Sequence, residues 1–469
     1  MTPRNLPAAC ADIILVPTHP ARLGVVVQPM FHGRILAVTI AALATLLAAC
    51  SLTSPASQAP PPPERAPKAQ APAAGTDLTH RQGAGTEGHA VAPQPLGPQV
   101  ALLLPLTGRE AEAAATVRDG FLTAYYVSAT AGRPRVRIYD TGDKSIAEVL
   151  GQATSDGVSF IVGPLTREEV AAAAALPGTH PPVLALNFLP AQEQAPSGFY
   201  QFALSPEDEA RAAARRVLAD GHRQGVALAP LGEWGTRVLA AFSQELTAGG
   251  GTLIDTARFD PAAFDFAPAV MQALGIDQSN ARFELIKSII GGKLEFQPRR
   301  RGDIEFIFQA SQAPAARLLR PQIRFYLAGD IPAYATSEAF EPDSTANQDL
   351  DGLNFPEMPW TLGSGLADSV RLAARSAWPV DGPPRDRLFA FGFDAYRLLA
   401  ALRAAPPGTT AAQTGMPVDG LTGELSIDAG GRVRRELEWA QLRNGQPHLL
   451  AQPGTSSAPV ANTSPEAGR

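Results

Sequence analysis

The sequence predicts an α/β protein of two doubly wound, Rossmann-like lobes that face each other across a cleft and are joined by crossing strands. Three observations lead there. Between about Gln99 and Leu450, short apolar runs alternate with amphipathic stretches of helical period, the pattern of a parallel sheet covered on both faces by helices. The series restarts after about residue 204, which makes two units. The chain then returns through an extended segment and two further helices, which lets its C-terminal part complete the first unit.

Val100-Ala101-Leu102-Leu103-Leu104 is a continuous apolar run ending in Pro105-Leu106-Thr107-Gly108, as expected of a buried parallel strand entering a turn. Ala113, Val117, Phe121 and Ala124 then share one helical stripe. Val136 to Tyr139, a helix near Ile146 to Ala153, the strand Phe160-Ile161-Val162, a helix to Ala175 and the strand Val183 to Leu186 complete the first series. Ser205-Pro206-Glu207-Asp208 opens the next helix, with Ser at the cap, Pro in the first position and an acid in the third. The second series follows as strand Gly225 to Ala229, helix Thr236 to Leu246, strand Leu253 to Phe259, helix Phe264 to Leu274 and helix Asn280 to Ile290. Ile304 to Gln309 and Arg324 to Ala328 are its last predicted strands. Beyond them lie an irregular stretch through Gly352, an extended segment near Leu353 to Leu362, helices Leu366 to Ala377 and Arg387 to Ala404, and a hairpin from Leu421 to Ile427 and Arg434 to Leu442. The expected division is lobe 1 at about 99–204 plus 362–451, lobe 2 at about 205–328, and a crossing region at about 329–361.

The N-terminal part carries a targeting signal. Met30-Phe31-His32-Gly33-Arg34 precedes the apolar run Ile35 to Leu47 and then Ala48-Ala49-Cys50, a charged head, short hydrophobic stretch and small-residue cut site. Such a run is too short to span a bilayer, which needs about 20 residues. Leu47-Ala48-Ala49-Cys50 resembles the bacterial lipobox, so residues 30–49 are expected to be a lipoprotein signal peptide and Cys50 the lipidated residue. Ser51 beside it, by resemblance to sorting signals, favours the outer membrane. Residues 1–29, with Cys10, precede this signal and are expected to be a misassigned upstream segment, with translation starting at Met30.

From Cys50 to about Pro98 the chain is rich in Pro, Ala, Gln, Gly and Thr and nearly free of large apolar residues. Burial of so little apolar surface cannot offset the entropy of ordering, so an extended tether is expected. At about 3.1 Å per residue when polyproline-like, it reaches on the order of 100 Å. Residues 452–469 have similar composition and are expected to form a disordered tail.

Composition narrows the function. With only two cysteines, lipidation of Cys50 leaves no internal disulfide, so a packed core must stabilise the exported domain. A net charge of −6 gives no basic face for nucleic acid. The sequence contains no zinc-protease, nucleophile-elbow, phosphate-loop or Cys-x-x-Cys motif, and its seven histidines show no metal-ligand spacing. No cofactor, metal site or catalytic residue is therefore expected; Asp303, Glu357 and Asp394 have no identifiable catalytic partner.

Candidate ligand groups are the polar residues at strand ends, where such a cleft holds its ligand. Thr107, Thr166 and Asn187 each follow a strand of the first unit, and Asp330, Tyr334 and Thr336 begin the crossing segment. Structural alternatives stand beside these: Thr166 with Glu169 fits a capping box, Thr107 and Asn187 fit turns, and Asp330 and Tyr334 fit hinge packing. Arg299, Arg300 and Arg301 are the one dense basic cluster, either a solvated loop or a contact for an acidic partner or lipid head groups. Phe355 and Trp360 are partner anchors if exposed and core residues if not.

Four stretches occur in order: Arg300-Arg301-Gly302-Asp303-Ile304-Glu305-Phe306-Ile307-Phe308, Pro321-Gln322-Ile323-Arg324-Phe325-Tyr326, Ile331-Pro332-Ala333-Tyr334-Ala335-Thr336-Ser337, and Asp349 to Trp360 with its Glu357-Met358-Pro359-Trp360 ending. With the Val100 to Gly108 and Phe160 to Leu165 segments, they resemble the LppC-type lipoproteins, the penicillin-binding-protein activators. The resemblance implies a type I periplasmic-binding-protein-like fold in regulatory use. It also implies an outer-membrane lipoprotein that reaches through peptidoglycan and docks on a class A penicillin-binding synthase, stimulating cross-linking. Better-known members carry a helical-repeat domain ahead of this one, where here about fifty low-complexity residues stand. The alternative function, a receptor for an amino acid or muropeptide in the cleft, would require convergent polar groups there.

Overall fold

In the computed structural model, residues 98–452 are described, apart from 129–131, 179, 191, 343–344, 376–382, 385 and 405–416. The signal, Cys50, the tether up to residue 97 and the tail beyond residue 452 lie outside the described residues.

Lobe 1 is a parallel sheet in the order β2-β1-β3-β4-β5, formed by β1 (Gln99–Leu104), β2 (Arg135–Asp140), β3 (Phe160–Val162), β4 (Val183–Ala185) and β5 (Phe199–Gln201). The apolar run that opens the domain is its central strand, buried on both faces because alternate side chains point to opposite sides. Val100, Leu102 and Leu104 pack in the layer containing α1 (Ala111–Val127), while Ala101 and Leu103 face α2 (Ile146–Ser155) and α3 (Arg167–Ala174). Both α2 and α3 start with a complete capping box, Ser145 with Glu148 and Thr166 with Glu169.

Lobe 2 begins at α4 (Pro206–Ala219), capped by Ser205. It continues through β6 (Gln224–Pro230), α5 (Glu233–Ala248), β7 (Thr252–Phe259), α6 (Ala267–Leu274), α7 (Ile276–Ile290), β8 (Phe306–Gln309), α8 (Ala313–Phe325), β9 (Ala333–Ala335) and β10 (Leu353–Glu357). The strand order β7-β6-β8-β9-β10 repeats the lobe 1 order, with the switch between β6 and β8 matching that between β1 and β3. Phe306 and Phe308 pack towards α4 and α5, and Ile307 packs towards α6 and α8.

From β10 the chain returns to lobe 1 as α9 (Pro359–Leu362), α10 (Ala367–Ala374) and α11 (Arg387–Ala404), followed by the antiparallel strands β11 (Val418–Asp419), β12 (Glu424–Ile427) and β13 (Val433–Glu436). It crosses once more into β14 (Glu438–Arg443) and β15 (Gln446–Leu450), which pair antiparallel on the β10 edge of the second sheet. The lobes are therefore joined at three points, Phe202–Leu204, Met358 and Leu437.

The structure corrects three expectations. Arg324 to Ala328 is not a strand: Ala316, Leu319, Arg320 and Ile323 form the buried stripe of α8, and Phe325 is exposed. Pro321 inside that helix is what hides the helical pattern, since proline normally ends one. The strand lies later, at β9, in the stretch expected to be irregular. The region 362–451 is divided between lobes, because β14 and β15 belong to the second sheet. Finally, β9 and β10 are integral strands of that sheet rather than a separate crossing region.

Helices α1 and α11 cross at a pair of glycines. A Cβ on Gly120 would lie 1.9 Å from the Phe389 carbonyl oxygen, and one on Gly392 would lie 1.9 Å from that of Val117. Gly392→Ala should thus lose about 1–3 kcal/mol by overpacking, despite alanine's better helix propensity; urea denaturation checks this.

Candidate functional site: the lobe junction

The parallel strands of both sheets direct their carboxyl ends at the junction, because β5 and β10 each run straight into a crossing. In doubly wound folds, a ligand crevice forms at this edge, where the strand order reverses. The residues on each side differ in how fully they are used.

Thr107, Thr166 and Asn187 are brought along the lobe 1 edge, and each is engaged locally. Thr107 N–H donates to Asp140 Oδ1 at 3.3 Å, as do Leu106 N–H at 2.8 Å and Gly142 N–H at 2.9 Å. Burial alone would raise the Asp140 carboxyl, but these N–H groups and the Thr107 hydroxyl hold it below the usual range. Thr166 Oγ1 accepts from Glu169 N–H at 3.2 Å at the start of α3. Asn187 Nδ2 donates to Leu165 O at 3.1 Å, and its Oδ1 accepts from Phe188 N–H at 3.0 Å.

Across the junction, Thr336 is wholly buried at the end of β9, with no hydrogen-bond partner for Oγ1 among the described residues. Gln309, ending β8 beside Leu228 and Ala335, is equally buried, and both its amide nitrogen and oxygen lack partners there. Ser311 Oγ is in the same state. Gln309 and Ser311 were missed in the sequence; the available signal was a polar residue closing the apolar run Phe306-Ile307-Phe308. Asp330 and Tyr334 do not belong to this edge. Asp330 precedes β9 at the opposite end of the sheet and binds Arg300 at 2.7 Å. Tyr334 is buried between β9 and α4, and its hydroxyl donates to Asp220 at 2.8 Å.

Charged groups tie the crossings together. Arg387, opening α11, reaches Glu357 at the end of β10, with Nε 3.2 Å and Nη2 2.5 Å from Oε2. Nη2 also donates to the Ser337 and Phe340 carbonyls at 2.9 and 3.0 Å. Glu209 of α4 accepts from Ser337 N–H at 3.0 Å and pairs with Arg435 of β13 at 3.3 Å. Burial and then neighbouring Glu209 push the Glu338 carboxyl up, with Arg387 opposing them. At the rim, Glu207 of α4 holds Arg237 at 2.7 Å and approaches Arg167 of α3 at 3.9 Å across the junction.

The expected partner contacts resolve differently. Phe355 and Trp360 have no exposed surface. Phe355 packs in the β9–β10 core, while Trp360 stacks on Phe389 and donates its indole N–H to Pro384 O at 3.0 Å. Neither serves as a surface anchor in this structure. Arg300 binds Asp330 and the Leu327 carbonyl, and Arg301 makes a two-point pair with Asp303. Arg299 is exposed, and its backbone N–H donates to Ser279 Oγ.

The Asp303 and Glu357 carboxyls pair with Arg301 and Arg387, and that of Asp394 is taken up by a turn. Asp394 of α11 accepts from Leu421 N–H at 2.9 Å, Thr422 N–H at 2.7 Å and the Thr422 hydroxyl at 2.7 Å, fixing the turn before β12. No group of three or more His, Cys, Asp or Glu placed to hold a metal occurs among the described residues. Cavities of about 460 and 330 Å³ lie along α4 where it faces β13, both lined by Arg215, Arg434 and Arg435, and the smaller reaches Glu209.

Two outcomes follow. Trp360→Ala should destabilise the domain by about 3–5 kcal/mol in urea denaturation, as large-to-small core changes do, whereas loss of a surface anchor would leave stability unchanged. Burial pushes the Asp394 carboxyl up to about 6 from 3.8, against the Thr422 and Leu421 hydrogen bonds. The folded state thus holds that proton where the unfolded chain releases it, so the associated stability is complete below about pH 4 and lost as pH rises through about 6. Wild-type stability relative to Asp394→Asn should fall over that window.

Comparison with known proteins places this architecture. Residues 92–445 match the family model described as "LppC putative lipoprotein". The chain is 30% identical over 348 residues to the penicillin-binding protein activator LpoA of Photobacterium profundum, covering 73% of this chain and 55% of that protein. The chain thus spans just over half the length of the curated relatives it matches. Among solved structures, the LpoA C-domain of Haemophilus influenzae, described as a regulator of PBP1A, aligns at TM-score 0.56 and 23% identity, covering 75% of this chain and all of that one. A "putative branched-chain amino acid ABC transporter" from Chromobacterium violaceum aligns at TM-score 0.55 and 26% identity, covering 74% of this chain and all of that one. The fold is that of type I periplasmic-binding-protein-like domains, and the chain belongs to the LppC lipoprotein family.

Proposed function

We propose that this chain is an outer-membrane lipoprotein, anchored through Cys50, whose folded domain binds a class A penicillin-binding synthase directly and raises its peptidoglycan cross-linking. The observation that carries this reading is the family match over 92–445, which includes nearly all of the folded domain. Curated relatives in that match are named as activators of a penicillin-binding protein. The Pro- and Ala-rich segment after Cys50 supports it: a tether reaching on the order of 100 Å would let the domain work far from its own membrane. Action by binding, without catalysis or a cofactor, fits a junction in which the Glu357 and Glu209 carboxylates are held by guanidinium and N–H groups.

A second reading has one observation in its favour. Gln309, Ser311 and Thr336 have buried polar atoms without partners among the described residues, at the edge where the fold holds ligands, and such atoms cost about 1–3 kcal/mol each if nothing meets them. A small ligand with amide or hydroxyl groups, such as an amino acid or muropeptide, would supply those partners.

The activator reading is tested with the full chain and purified class A synthases of the same organism. Saturable pull-down and increased cross-linking are expected; failure to bind any of them would overturn it. For the second reading, a muropeptide at 100 times its dissociation constant should stabilise the protein by about 2.7 kcal/mol in a thermal-shift titration.

A further inference from the structure

Helix α7 projects its apolar face into solvent. Only Ile276 and Ser279, in its first turn, are buried, whereas Leu285, Ile286, Ile289 and Ile290 are 61%, 48%, 74% and 65% exposed. These four share one face through their three- and four-residue spacings. Arg282 stands on the same face, one turn before Leu285 and Ile286 and two before Ile289, and it has no ion-pair partner among the described residues. The helix is held at its base by the basic loop: Arg301 N–H donates to Leu274 O at 2.9 Å, Arg299 N–H donates to Ser279 Oγ at 3.2 Å, and Phe296 stacks on Phe283 at 4.2 Å. The loop therefore presents the helix rather than covering it.

Several occupants are disfavoured by composition and charge. Residues 50–97 and 453–469 contain no aromatic residue and only scattered aliphatic ones, too little to cover four large aliphatics. Residues 276–303 carry six Lys or Arg against four Asp or Glu in a chain of net charge −6, including two of its four lysines. A two-fold pair of α7 helices centred on the aliphatics would set each Arg282 beside the aliphatic end of the other copy's helix, where that face offers no carboxylate. In a lipid surface, basic residues belong on the polar face, whereas Arg282 would be pressed among the acyl chains with the aliphatics. A protein groove meets both features, because it can offer an apolar floor and one carboxylate for the guanidinium fork.

We infer that α7 is a docking helix: Leu285, Ile286, Ile289 and Ile290 enter an apolar groove, and Arg282 pairs with a carboxylate on its rim. The inference rests on the activator reading, with the groove on the synthase. Helix-in-groove recognition uses such spaced anchors, and a few central residues carry most of the binding energy of an interface.

The test uses the full chain with the class A synthase, measuring affinity by biolayer interferometry and cross-linking in the same preparations. Ile286→Glu with Ile289→Glu should weaken binding at least 30-fold, with the melting temperature unchanged because both side chains are exposed. Arg282→Glu should weaken it about tenfold, less so at high salt, while Leu372→Glu, an exposed leucine on α10, leaves it unchanged. If wild type binds no synthase, the activator reading fails, and this inference with it. If wild type binds and the α7 variants bind equally well, only the docking helix is refuted. Loss of anionic-vesicle binding, or of a dimer in sedimentation, with synthase affinity intact would also overturn it in favour of those occupants.

Discussion

Arg387 is the residue on which the two-lobed arrangement most depends. It lies at the start of a lobe 1 helix, yet its guanidinium is spent entirely on lobe 2: the Glu357 carboxylate and the carbonyls of Ser337 and Phe340. Glu357 has no exposed side-chain surface. A carboxylate moved that far from water costs several kcal/mol unless a well-placed cation and hydrogen bonds meet it. Arg387 and the Met358 N–H, at 2.8 Å, do so, and the β10 crossing is fixed in consequence. The second pair, Glu209 with Arg435, performs the same service for the other two crossings, since α4 follows the first and β13 precedes the third.

That clamp explains how the junction is laid out. Ser337 gives its carbonyl to Arg387 and its N–H to Glu209, so the segment after β9 is held by both pairs. Thr336, immediately before it, is thereby fixed in the interior, its hydroxyl unmet among the described residues. The polar atoms at the lobe 2 edge that lack partners among the described residues are thus set in a rigid frame, while Thr107, Thr166 and Asn187 at the lobe 1 edge are engaged by their own turns. Helix α7 is the opposite case. It hangs from lobe 2 by its first turn and the loop behind it, so its aliphatic face is free to meet a partner without disturbing the clamp.

Much of the fold was legible where local chemistry and burial agree. The uninterrupted run Val100 to Leu104 could only be a doubly covered strand, and Ser205-Pro206 with an acid at the third helical position marked the entry to lobe 2. Legibility failed where a residue breaks its local rule. Pro321 masked α8, and three-residue β9 is too short to show a period. Sheet membership of β14 could not be read because pairing is a long-range property: Glu438 meets Glu357 only after α9 to α11 have been laid down. The site was less legible than the fold. Strand-end threonines and Asn187 were visible, but whether a hydroxyl is spent on a cap or left unmet depends on neighbours distant in sequence. Phe355 and Trp360 illustrate the same limit, since their sequence context suits an anchor as well as a core, and burial alone decides.

A double-mutant cycle of Glu357→Gln and Arg387→Met, followed by urea denaturation, measures whether buried charge compensation at the crossings holds the lobes as one body. Either single change leaves a buried polar group uncompensated and is expected to cost about 3–5 kcal/mol, while the double variant should lose well under the sum, in a single transition. Additive losses, or single variants with wild-type stability, would contradict the account.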